Sequence, residues 1–444
     1  MKAAADTRPA PATPGQPPAK ADSPTGLEPP AGAAQDPPRL TPLWRNVPFQ
    51  TLWIGSAASA LGLSVADVAF PLAILAVTGS PGDAGLFAAV QTTGVILAGL
   101  PAGHLADRRS PRWMLVVAEA LLAVVAVAVV LALVQGWLSL PLLLAGALVL
   151  GGAQSMTSAA RILLLRTVVP KEQLTRALTQ DEVRINGSDL IGPPIGGALY
   201  GLRALAHALP FVAAAASFVI SLISALLVTA EPDRTPAPSS SPDEGIAMFA
   251  GLRAIWSDSM LRVTTTLLAM INFIGPGISL VAVVIMRHEG ASSATIGLAL
   301  GGSALGGLAG APLVRLFHRL RPGILLLGVC GLLVPVIALL AVPLGPWWIS
   351  GLMFLGMLGV PSLRVLVDVL ILRQAAPAER GRIVAGVITI VAIGMPAGLL
   401  ISGLLLQFLS AQLAVLVLAG LLGLGVLSGA LRRQLWTARW PQLG

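Results

Sequence analysis

Acidic side chains set inside long apolar stretches are the residues of this sequence with the most chemistry to offer. Asp67, Glu119 and Asp189 each lie in a segment rich in Ala, Leu, Val, Ile and Gly, and Arg364 and Asp368 stand one helical turn apart in another. An aspartate near the centre of a membrane helix costs roughly 2.5–3.5 kcal/mol on insertion scales, so each of these residues needs a reason. A carboxylate shielded from water can bind a proton and release it when water returns. Asp67, with Ser59 and Ser64 before it and Pro71 one turn on, is the leading candidate for such a titrating group, and Glu119 is the second. The plainer reading makes Asp67 a fixed hydrogen-bonded residue near one mouth of the protein. In that reading Glu119 and Asp189 pair with Arg161, Arg184 or Arg166, and Arg364 and Asp368 satisfy each other.

Enzyme chemistry finds no support. The sequence contains no Gly-x4-Gly-Lys-Ser/Thr, His-x4-Asp, His-Glu-x-x-His or Gly-x-Ser-x-Gly pattern. Its single cysteine, Cys330, lies in an apolar run, and the four histidines His104, His207, His288 and His318 have no metal-ligand spacing.

The elements that position these residues follow from where charge is missing. Only 11% of the 444 residues are charged and 55% are hydrophobic, against about 25% charged in a soluble domain. Charge-free runs cover Ala120–Ala160, Val263–Met286, Gly290–Val314, Pro322–Leu363 and Ile383–Leu431. One spanning helix needs about 20 apolar residues, so three of those runs hold two helices each. The ~10-residue alternation of a transmembrane barrel is missing. The chain reads as an all-α polytopic membrane protein with helices at 49–76, 83–105, 112–135, 138–163, 181–205 and 208–230. Six more follow at 260–286, 293–316, 322–343, 347–373, 383–406 and 411–431.

Twelve spans divide the chain into a 48–230 bundle and a 258–431 bundle. Residues 1–47, rich in Pro and Ala, read as a disordered tail, and 432–444 as a second tail. The 231–257 linker carries a short surface helix at Ile246–Trp256. Of 28 Lys and Arg, all but Arg203 and Arg287 fall on the side of the termini, which places both termini in the cytoplasm. The net charge of +8 is therefore a topology signal and no sign of nucleic-acid binding. A repeat supports the two-bundle division. Gly99, Gly103 and Gly187 recur 207 residues later as Gly306, Gly310 and Gly394, and Arg166-x3-Pro170-x-Glu172 recurs as Arg373-x3-Pro377-x-Glu379. Parallel repeats place a binding site between the halves near mid-bilayer.

Between the second and third helices stands Gly103-His-Leu105-Ala-Asp107-Arg108-Arg109-Ser-Pro-Arg112. It resembles the helix 2–3 signature of the major facilitator superfamily, Gly-x-Leu-x-Asp-Arg followed by basic residues. Trp44-Arg45-Asn46, Phe70-Pro71-Leu72, Thr78-Gly79-Ser80-Pro81, Val169-Pro170 and Glu379-Arg380-Gly381-Arg382 resemble its twelve-helix exporters, including enterobactin exporters and macrolide efflux pumps. The resemblance implies the major facilitator fold, two pseudo-symmetric six-helix bundles, with Asp107 facing the start of helix eleven near Gly381. Gly103, Asp107, Arg108 and Arg112 would then form a conformational latch. Gly192-Pro193-Pro194-Ile195-Gly196-Gly197 partly resembles an exporter signature, with Ser188 where a further glycine is expected; it implies a hinge in helix five.

The resemblance further implies proton-coupled efflux of a hydrophobic or amphipathic small molecule from a multi-pass protein of a bacterial-type cytoplasmic membrane. A lysophospholipid or lipid translocator of the same fold is the alternative, and a non-transporting membrane sensor or scaffold a third. The expected partners are a small-molecule solute, protons and the lipid bilayer, for a monomer that needs no cofactor besides the proton gradient. Gln91, Thr92, Gln154, Asn186 and Asn272 are the candidate cavity residues, with Thr93, Ser155 and Thr389 near them. The run Asn272-Phe-Ile-Gly-Pro276-Gly277 is expected to break or bend helix seven.

Overall fold

A computed structural model describes residues 42–202, 207–228, 253, 256–257, 259–317, 320–374, 380–432 and 435–436. Thirteen α-helices appear among them: α1 (Val47–Thr78), α2 (Pro81–Arg108), α3 (Pro111–Gln135), α4 (Leu140–Val168), α5 (Leu174–Gly201) and α6 (Leu209–Leu227), then α7 (Ser259–His288), α8 (Ser293–Phe317), α9 (Pro322–Leu339), α10 (Pro346–Met357), α11 (Val360–Gln374), α12 (Arg380–Phe408) and α13 (Ala411–Ala430). Since α10 and α11 share one apolar stretch, the described chain makes twelve crossings. Both ends therefore lie on one side, here the terminal face; the α1–α2 connection lies on the far face.

Local chemistry sets the helix ends. Asn46 caps α1 by accepting from Phe49 N at 3.1 Å, and its amide donates to Val168 O at 2.8 Å, tying the start of α1 to the end of α4. Ser80 and Ser110 cap α2 and α3, each followed by proline in the first turn. Gly79 and Gly136 end α1 and α3 in the left-handed region, where a side chain would be strained.

The packing repeats between halves. Helix α1 lies against α5 and α6, α2 against α4, and α3 against α4 and α6; α7 lies against α12 and α13, α8 against α10, and α9 against α10 and α13. Two seams join the halves, α2 with α12 and α5 with α8, and they exchange under the same pseudo-twofold. Among the described residues, ten of the crossings hold a stretch long and apolar enough to span a bilayer. The most polar crossing, α5, is a first-half member of the seams. Its polar residues belong there because other helices, not lipid, cover much of its surface.

Several expectations need correction. Of the residues expected in the first tail, Leu43–Arg45 form a 3-10 turn, with Leu43 buried with Phe49, Leu165, Val169 and Ala177. Within the expected second tail, Leu435 is 1% exposed and Trp436 donates its indole N–H to Ala430 O at 2.8 Å. Helix α5 starts seven residues before the expected 181. Helix α7 is unbroken through Pro276, its Phe273 and Gly277 packed on Gly398 and Ser402 of α12. The expected single helix at 347–373 divides at Leu358–Gly359, where Pro361 cannot donate to Met357 O. Most of the expected surface helix and of the first 47 residues lies outside the described residues.

Candidate functional site

The two seams close one side of the molecule. On α5, a Cβ placed at Gly197 would strike Ser293 O and lie 3.0 Å from Gly297 Cα, and one at Gly297 would strike Pro193 O. On α2, a Cβ at Gly85 would lie 2.7 Å from both Gly403 Cα and Leu399 O of α12. All of these contacts lie toward the far face. A carbonyl there receives donors from two other helices: Leu72 O of α1 accepts Tyr200 Oη at 3.1 Å and Arg287 Nη1 at 3.0 Å. Arg287 belongs to the second half, so this bond crosses between halves. The His207 ring stacks on Tyr200 at 4.7 Å and sits at positive φ, the only described non-glycine residue that does so.

Toward the terminal face the α5–α8 seam parts. Cβ atoms at Gly187 of α5 and Gly307 of α8 would meet nothing within 4 Å. Val183, Leu305 and Leu308 are exposed. The two halves thus flank a cleft that is shut at the far face and open toward the terminal face.

Asp67 is exposed on α1, about 30 Å along the helix from its start. Among the described residues its carboxylate has neither an ion-pair partner nor a hydrogen-bond donor. Pro71, four residues on, also leaves the Asp67 main-chain carbonyl without its helical donor. Asp189 of α5 repeats the arrangement with Pro193 and accepts Ser64 Oγ at 3.0 Å. The α1–α5 contact is close because Gly192 and Gly196 lie on the backbone of Ser64 and Val65. The charges of Asp67 and Asp189 lie near enough to interact. Asp67 also lines a crevice with Gln91, Phe70, Phe211 and Phe218. Its volume is about 10 Å³, room for at most one water.

Glu119 is placed differently. It is fully buried on α3 and accepts Ser59 Oγ at 3.0 Å, inside the first bundle and off the cleft. Two of the arginines expected to pair with it or with Asp189, Arg161 and Arg184, turn to Asp181. Arg184 Nε lies 2.8 Å from Asp181, Arg161 Nη2 lies 3.7 Å from it, and Arg184 Nη1 donates to Ser56 O at 2.9 Å. Sequence reading passed over Asp181, although its i,i+3 spacing to Arg184 was visible.

Of the expected cavity residues, Thr92, Asn186 and Asn272 donate to carbonyls of their own helices, Ala88, Glu182 and Leu268, at 2.8–3.0 Å. Gln91 and Gln154 are half-buried and have no side-chain partner among the described residues. In the expected latch, Arg112 is spent elsewhere: it donates to Ala225 O at 3.2 Å and to Leu226 O, tying α3 to the end of α6. Gly103, Asp107 and Arg108 are helical at the end of α2, and Gly381 is in the first turn of α12. The side chains of Asp107, Arg108 and Asp368 lie outside the described set. The expected hinge residues Gly192, Pro193, Gly196 and Gly197 lie in an unbroken α5, with all three glycines in close helix contacts.

A family model described as Major Facilitator Superfamily matches residues 52–361. The chain belongs to that superfamily. No curated protein sequence matches it. Among solved structures, it is similar to an inward-facing, unoccupied bacterial homologue of the human lysosomal transporter Spinster, at TM-score 0.69 and 15% identity over 90% of this chain and 99% of that one. It is also similar to the nucleoside transporter NupG, at TM-score 0.68 and 13% identity over 88% and 100% of the two chains. A bacterial homologue of the iron transporter ferroportin, in an inward-facing state, gives TM-score 0.65 and 17% identity over 88% and 100%. At such identities these likenesses speak for the transporter fold alone. They agree with a membrane transporter of a small-molecule solute, and no catalytic family is indicated.

Proposed function

We propose that this facilitator is a secondary active transporter that exports hydrophobic or amphipathic small molecules in exchange for protons, by alternating access. Asp67 carries the reading. It is a carboxylate without an ion-pair or hydrogen-bond partner among the described residues, deep along α1, lining a crevice within the first half that has room for one water and is too small for a solute. Such a group can take a proton when the cleft opens one way and release it when the cleft opens the other. Asp189, held by Ser64, is an acidic neighbour whose charge reaches it. Glu119, sealed in the bundle, is a secondary candidate for coupling. Gln91 and Gln154, half-buried and without a side-chain partner among the described residues, set among mainly aliphatic helices, suit an amphipathic solute. The excess of Lys and Arg on the terminal face supports cytoplasmic termini and therefore a cleft open to the cytoplasm, in a plasma membrane of bacterial type.

The test is transport by everted vesicles under an imposed proton gradient, with a graded panel of lipophilic cations, neutral amphiphiles and zwitterions. Asp67→Asn should abolish gradient-driven accumulation while facilitated exchange of the same solute continues. Accumulation at the wild-type rate would refute the assignment.

A further inference from the structure

Two apolar chambers adjoin in the second half of the fold. The outer, about 190 Å³, is walled by α9 from Ile324 to Leu333, by α10 near its break, and by Phe317 and Leu320. The inner, about 80 Å³, lies among α7, α8, α9, α10 and α13. Leu333 and Gly356 line both and stand at the junction between them, so a shift of the Leu333 side chain joins the two into one crevice. Leu320, Leu332 and Leu355 around the outer chamber are 44%, 52% and 38% exposed, which opens it to the surroundings of the bundle. No charged residue lines either chamber, and Ser279 and Ser303 are the only side chains in the two walls that can hydrogen-bond through oxygen. The crevice begins at the terminal face beside Leu320 and reaches Leu333, about 17 Å along α9, close to the middle of a ~30 Å hydrocarbon layer.

We propose that this crevice admits and seats the hydrocarbon chain of a single-chain amphiphile drawn from the membrane leaflet at the terminal face. The inference rests on the reading of the chain as a transporter of amphipathic solutes and names where the apolar part goes. Water gains little in a chamber with so few polar partners, and the phase in contact with the mouth is lipid. The outer chamber is little larger than the ~150 Å³ void that holds benzene, and the inner is about half that. A flexible chain threads such a passage where a fused ring system does not. Exposed Arg315 and Arg321 flank the mouth in sequence and lie at the level of a phosphate-bearing headgroup.

The repeat sharpens the assignment. The 207-residue offset carries Asp67, Ala126 and Leu150 of the first-half crevice onto Ile274, Leu333 and Met357 of the inner chamber. At equivalent places one half has a carboxylate and room for one water, and the other has a dry, larger hole. One half is fitted to a proton and the other to hydrocarbon.

Two glycines make the test clean. A Cβ at Gly328 would meet nothing within 4 Å, and one at Gly356 would lie at ordinary contact, 3.5 Å from Leu333 and 3.6 Å from Val336. Gly328→Phe should fill the outer chamber and Gly356→Leu should plug the junction, each entering through a Cβ that meets no clash. The full-length protein in lipid nanodiscs is photolabelled with a lysophospholipid bearing a diazirine at its chain end, and separately with a two-chain phospholipid bearing the same group. Labelled peptides are mapped by mass spectrometry, and thermal unfolding checks each variant. Lysophospholipid label should centre on Leu333 and Gly356 and fall about tenfold in either variant, while label on the lipid-facing side of α3 stays constant. Undiminished label in both folded variants would overturn the proposal. So would phospholipid label of equal strength that excess lysophospholipid does not displace, the mark of annular lipid. Asp67→Asn should label as wild type does, so loss of proton coupling and loss of this seat are separable outcomes.

Discussion

Gly297→Ala puts the α5–α8 seam under direct strain. The new Cβ would press on Pro193 O and lie 3.0 Å from Pro193 C and 3.2 Å from Gly197 Cα. Comfortable carbon contacts are ~3.5–4.0 Å, and the obstacles are main chain that cannot rotate away. The helices must part by a large fraction of an ångström, at an overpacking cost of about 1–3 kcal/mol. That cost falls on the far-closed state alone, so the ratio of closed to open molecules should drop roughly five- to 150-fold. Spin labels at Leu202→Cys and Glu289→Cys, exposed far-face positions in opposite halves, report the change as a longer distance component in pulsed dipolar spectra. The native Cys330 is buried and stays out of the labelling. Gly187→Ala is the control, since its Cβ meets nothing. An unchanged distance distribution in Gly297→Ala, with unchanged thermal stability, would refute the claim that glycine contact holds the far face shut.

Three further outcomes are expected. Arg287→Ala removes the charged bond to Leu72 O, worth about 1.5–3 kcal/mol, and should shift the same spin-label distances in the same direction as Gly297→Ala. Asp181→Ala strips Arg184, 4% exposed, of its carboxylate; about 3 kcal/mol should be lost, the low end for a broken buried pair because Asp181 is a fifth exposed, with a lower thermal midpoint as the readout. Arg112→Ala frees the carbonyls of Ala225 and Leu226, so amide exchange should rise in the last turn of α6 by the equivalent of about 1–2 kcal/mol and stay unchanged in α4.

What could be read from the sequence follows the physics of the bilayer. Apolar runs without charge located the helices because lipid tolerates little else, and the 207-residue repeat anticipated the duplicated packing. The misreadings fall where a helix is covered by protein. Arg176, Asp181, Glu182 and Arg184 made the start of α5 look like a loop, yet Asp181 holds two arginines there. Pro276 promised a break in α7, but packing on Gly398 and Ser402 of α12 supports that turn. The break that does occur, before Pro361, followed the same rule and was overlooked inside a uniformly apolar run. Asp67 stood out in the sequence, whereas the chambers beside α9 could not be read from it. Their walls are ordinary Leu, Val and Gly, and only the assembled bundle shows that they leave a gap.

The polarity of α5 has a consequence for how the chain is made. Its Arg176, Asp181, Glu182, Arg184 and Asp189 make it the least apolar crossing, and it leans on a partner in the second half, α8. At about 5–20 residues per second, the 116 residues from Gly201 to the end of α8 take on the order of ten seconds to synthesise. Through that interval the acids and arginines of α5 have only first-half neighbours for cover, α1 chief among them. Insertion of the first half is therefore completed by the second, and a chain cut in the central linker leaves its most polar helix waiting at the membrane for a partner that never arrives.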